Sequence, residues 1–76
     1  MTHKRVDELH YEDRFLHGGF VYQPHQGEEP SDHKIRCDRL GLLTKEGYYI
    51  PSSHLSTEDF QPDTSVQLVN VTIQLI

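Results

Sequence analysis

Val66-Gln67-Leu68-Val69-Asn70-Val71-Thr72-Ile73-Gln74-Leu75-Ile76 closes the sequence, and its reading decides the fold. From Val69 to Leu75 apolar and polar residues alternate without a break. Val69, Val71, Ile73 and Leu75 fall on one side, Asn70, Thr72 and Gln74 on the other. A period of two in a segment rich in β-branched residues predicts a strand. No charge, Pro or Gly interrupts it, so nothing in it blocks pairing with another strand.

Its length is out of proportion to the chain. Eleven extended residues reach about 36 Å, whereas a domain of this size has a radius of gyration near 11 Å. The strand therefore bends or overhangs. Val66 and Leu68 are apolar where the later pattern places Asn70, Thr72 and Gln74, which suggests a bulge near Leu68. An uncharged strand left as an open edge would aggregate. The expectation is that Val69, Val71, Ile73 and Leu75 are covered by strand addition across a homodimer interface.

Upstream, the segment 5–16 fits a helix or a strand equally poorly; early acids and a late Arg14 favour a short helix or turn. Gly18-Gly19 breaks it. Phe20-Val21-Tyr22-Gln23 reads as a short strand stopping at Pro24, and Pro24 to Asp32 as a solvated acidic loop. His33 to Thr44 reads as a strand with a fault: Ile35 and Cys37 share one face, Leu40 and Leu42 the other, with Gly41 between. A bulge or barrel corner produces such a switch. Lys45-Glu46-Gly47 is a three-residue hairpin loop with Gly placed for positive φ, and Tyr48-Tyr49-Ile50 its return strand, ended by Pro51. Ser52–Leu55 predicts one tight turn, and Ser56–Phe60 one helical turn behind an N-cap.

These elements predict one domain over residues 1–76, mainly β, or α+β with one short N-terminal helix. Its form is a small antiparallel sheet or an SH3-like barrel with a long C-terminal strand. The barrel alternative follows from a local resemblance. Gly47-Tyr48-Tyr49-Ile50-Pro51-Ser52-Ser53-His54-Leu55 resembles the closing segment of SH3 domains. That likeness implies a groove for Pro-rich peptides lined by Phe20, Tyr22, the acids Glu28, Glu29 and Asp32, and Pro51. The sequence departs from the family in having no Trp, in carrying His54 where the motif has its last groove Tyr, and in lacking residues for part of the central hairpin.

Composition narrows the function classes. The chain has 76 residues, 34% of them apolar, and a formal charge of −5. A domain this small has a thin core and relies on contacts with other chains. Scattered Lys and Arg on an acidic chain argue against a grip on nucleic acid; a partner with a basic surface fits the sign. The single Cys37 allows no internal disulfide. No apolar run is long enough for a membrane helix, and Met1–Arg5 leads into acids, so the expected setting is the cytoplasm or a host cytoplasm.

Six His residues accompany Cys37, but as a strand His33-x-x-x-Cys37 would hold its ends about 13 Å apart, too far for one ion. The leading reading expects no metal site and no cofactor; a metal-binding protein using the His residues and Cys37 is the alternative. Phosphate-binding Gly loops and metalloprotease helices are missing from the sequence, and no spacing ties Cys37 or a Ser to a His and an acid. The reading is a non-catalytic protein-interaction or assembly protein, possible as a viral or accessory component that docks on a host protein. Its expected contact groups are Phe20, Tyr22, Tyr48, Tyr49 and Phe60, with Pro51 beside them and Glu28, Glu29 and Asp32 as a polar rim.

Overall fold

The computed structural model describes residues 2–27 and 33–70, with Leu55 as backbone only. Among the described residues six strands lie in one antiparallel sheet: β1 (His3–Arg5), β2 (Phe15–His17), β3 (Phe20–Pro24), β4 (Ile35–Leu43), β5 (Tyr49–Phe60) and β6 (Ser65–Leu68). Their order across the sheet is β1-β6-β2-β3-β4-β5. The fold is mainly β, and the sheet is open rather than closed into a barrel. The N-terminal helix is a single 3₁₀ turn at Val6–Glu8. No helix among the described residues is long and apolar enough to cross a membrane.

Strands β2 to β5 form a meander of neighbours in sequence. The β4–β5 hairpin closes as its residues dictate. Gly47 takes φ +93°, a conformation that costs other residues, and the Thr44 amide donates to the Tyr48 carbonyl at 2.9 Å. The C-terminal expectation changes more. The described strand β6 is four residues long and lies inside the sheet, between β1 and β2. Val69 has left the strand but still donates its amide to the Arg14 carbonyl at 2.9 Å. Val71, Ile73 and Leu75 lie outside the described residues.

The fault in β4 is a bulge centred on Leu40. On one side Tyr22 pairs with Arg39 and Val21 with Gly41; on the other Arg39 pairs with Ser56 and Gly41 with Pro51. Leu40 is skipped on both flanks. Cross-strand partners share a face, so the bulge cancels the parity change in the sequence. Arg39 faces with Ile35 and Cys37, and Leu42 returns to that same face. The backbone of β5 then runs close over Gly41: a Cβ there would stand 2.3 Å from the Ile50 carbonyl oxygen. Glycine is required at 41 by this approach.

Strand β5 corrects three local expectations. Pro51 does not end it; the strand passes through and continues to Phe60. Proline is tolerated because β5 is an edge strand among the described residues. Ser52–Leu55 is a four-residue excursion opposite the single bulged Leu40, not a turn between elements. Ser56–Phe60 is strand, paired with Ile35–Arg39, not a helical turn. Its Ser-Thr-Glu-Asp run favours a cap locally, but five consecutive cross-strand pairs override so weak a preference.

One face of the sheet carries the core: Val6, Phe15, Tyr22, Ile35, Cys37, Phe60 and Val66. Phe60 ends the edge strand, yet its ring centroid lies 5.3 Å from Phe15 of β2 and 5.1 Å from Tyr22 of β3. The sheet must curl over its own core to bring them together. The 3₁₀ turn holds that closure: Val6 and Asp7 donate their amides to the carbonyls of Thr64 and Pro62 in the β5–β6 connection.

Candidate functional site

The core fills only one end of the curled face. At the other end, next to the β4–β5 hairpin, Phe20 pairs with Leu42 and Leu42 with Ile50. These three side chains make a row across β3, β4 and β5. Phe20 is partly buried against the core, but Leu42 is 38% exposed and Ile50 51%. Tyr48, two residues before Ile50, is 71% exposed. No other element among the described residues covers this row.

Polar groups border it on the core side. Arg39 lays its guanidinium over the Phe20 ring, 4.6 Å from Cζ to the centroid, and its Nε–H donates to Ser56 Oγ at 3.1 Å. One step further in, the Tyr22 hydroxyl donates to Glu58 Oε2 at 2.5 Å. That acceptor and burial together push the Tyr22 phenol up to about 12, burial being the larger cause. Cys37 is fully buried nearby, and burial with the surrounding acids pushes its thiol up to about 12. A thiol held in this way is a packing group, not a nucleophile.

The opposite face carries Leu16, Leu43 and Tyr49, all partly buried, besides one fully buried residue. Val21 is fully buried there, on the row it shares with Leu16 and Gly41. The Tyr49 ring reaches the space above Gly41, and burial raises the Tyr49 phenol pKa while Arg14 pulls the other way. His25 Nδ1 lies 2.8 Å from Asp38 Oδ1. Asp38 faces away from Cys37, so this His–Asp pair has no thiol beside it. Among the described residues no group of three or more His, Cys, Asp or Glu could hold a metal ion.

The expected contact residues therefore separate. Phe20 and Tyr48 lie at the open end. Tyr22 and Phe60 are core. Tyr49 and Pro51 belong to the opposite face, Pro51 through its pairing with Gly41, so the groove implied by the SH3 likeness is not assembled from Phe20, Tyr22 and Pro51. Glu28, Glu29 and Asp32 lie outside the described residues. No family model, curated protein or solved structure matches the chain.

Sequence reasoning missed Leu42, Ile50 and Arg39. The signal for Arg39 was present: once Gly41 marks a bulge, Arg39 and Leu42, three apart, share a face.

Proposed function

We propose that this chain is a non-catalytic protein-interaction and assembly module whose first partner is a second copy of itself. The observation that supports this reading is the uncovered row Phe20–Leu42–Ile50 beside the exposed Tyr48. Half-exposed Leu and Ile each leave on the order of 1 kcal/mol of burial unrealised. Association must also offset the lost freedom of two bodies, so the row supports a weak dimer, in the micromolar class. The setting we propose is the cytoplasm, where the one thiol stays reduced.

Sedimentation equilibrium tests the reading. The wild type is expected to shift from monomer to dimer with concentration, and Ile50→Asp to remain a folded monomer. A wild type that is monomeric at every concentration, or an Ile50→Asp chain that dimerises unchanged, overturns it. The alternation over Val69–Leu75 supports a second reading, association by strand addition through the C-terminal segment. Truncation after Asn70 separates the two: loss of the dimer there, with Ile50→Asp unaffected, assigns the interface to that segment.

A further inference from the structure

Charged groups border the open row on two sides. Four of the seven Lys and Arg residues have an acid beside them: Lys4 lies 3.4 Å from Asp13, Arg5 2.7 Å from Asp7, and Lys34 and Arg36 3.3 and 3.6 Å from Asp59; of the other three, Arg39 is the one that borders the row. Arg39 has no carboxylate within ion-pair distance among the described residues. Its neighbour Glu58 accepts from Tyr22 instead, and Ser56 and the Phe20 ring fix the guanidinium at the border of the row. Glu46, exposed at the hairpin tip, likewise has no cation partner among them.

Arg39 and the hairpin tip flank the row on opposite sides along the strand direction. Leu42 sits between them on β4, and five strand residues separate Arg39 from Thr44 by about 16 Å. A two-fold interface is self-complementary: if one residue meets a second across it, the second meets the first. We infer that two copies pack their open ends antiparallel, with Leu42 and Ile50 at the axis and Arg39 of each chain against Glu46 of the other. This rests on the self-association proposed above. Arg39 is then the residue that fixes the register of the pair, because apolar contacts alone do not discriminate direction.

Reciprocal charge reversal tests it. R39E and E46R are each expected to weaken the homodimer about a hundredfold, since each places like charges together twice. Mixed in equal amounts, the two variants restore opposite charges at both contacts, and a 1:1 heterodimer of near wild-type affinity is expected. Lys45 shares the tip, so K45E controls for its net charge and is expected to dimerise as the wild type does. Two folded variants that fail to pair when mixed, or a K45E chain as impaired as E46R, overturn the inference while leaving self-association standing. A monomeric wild type removes the reading beneath it. Circular dichroism of each variant establishes that the chains compared are folded.

Discussion

The two ends of one sheet face are built from similar residues and end in opposite states. At the core end Phe15, Tyr22 and Phe60 meet ring to ring with centroids 5.1 to 5.5 Å apart, because the sheet curls and the 3₁₀ turn ties the closure. At the hairpin end Phe20, Leu42 and Ile50 line up across three strands just as regularly, but no other described element folds over them. Apolar identity therefore does not decide burial here. What decides it, among the described residues, is whether another element lies over the row. A chain with so few apolar residues closes one end well and leaves the other uncovered among the described residues.

Substitutions should separate the ends cleanly. Phe60→Ala removes the ring that joins β5 to β2 and β3, and the expected loss is about 3–5 kcal/mol, enough to unfold a domain of this size; a urea midpoint near that of the wild type would mean the core end is not the stabilising one. Gly41→Ala pushes a methyl against the β5 backbone, where no side chain can yield, and about 1–3 kcal/mol of destabilisation is expected. Its effect should reach both ends, since the bulge beside it orients Arg39 toward the row. At the hairpin end Ile50→Asp should change stability by only about 0.5 kcal/mol while removing association.

Alkaline pH gives a finer test. Tyr22 and Cys37 both hold their protons more tightly folded than unfolded, with values near 12 against ordinary values of 10.0 and 9.0. Their contribution is complete below pH 9 and is lost as pH rises from about 9 through 12. Thermal melts should fall across that window, and Tyr22→Phe should flatten the part above pH 10. A melting temperature independent of pH between 9 and 11 would contradict the burial of these groups.

Much of this was legible in the residues, and the gaps have physical causes. Gly47 and the Gly41 fault announced their turn and bulge, because positive φ and close backbone approach leave few other choices. Phe20–Gln23 announced its strand by β propensity. Ser56–Phe60 did not: Ser, Thr, Glu and Asp favour caps locally, and only pairing with Ile35–Arg39, distant in sequence, makes them a strand. Pro51 read as a stop because its edge position is not a local property. The open row was hidden for a similar reason, since exposure depends on which end the sheet curls to cover.

The place of β6 carries a consequence for how the protein acquires its structure. The meander β2 to β5 assembles from neighbouring segments, but His3 finds its partner in Gln67, across almost the whole chain. Pairings so remote form only after a large loss of chain freedom. The hairpins should therefore form early and the docking of β1 and β6 last. Until that final step the aromatic core is open on one side, and the slow phase of refolding should be sensitive to Val66 and indifferent to Ile50.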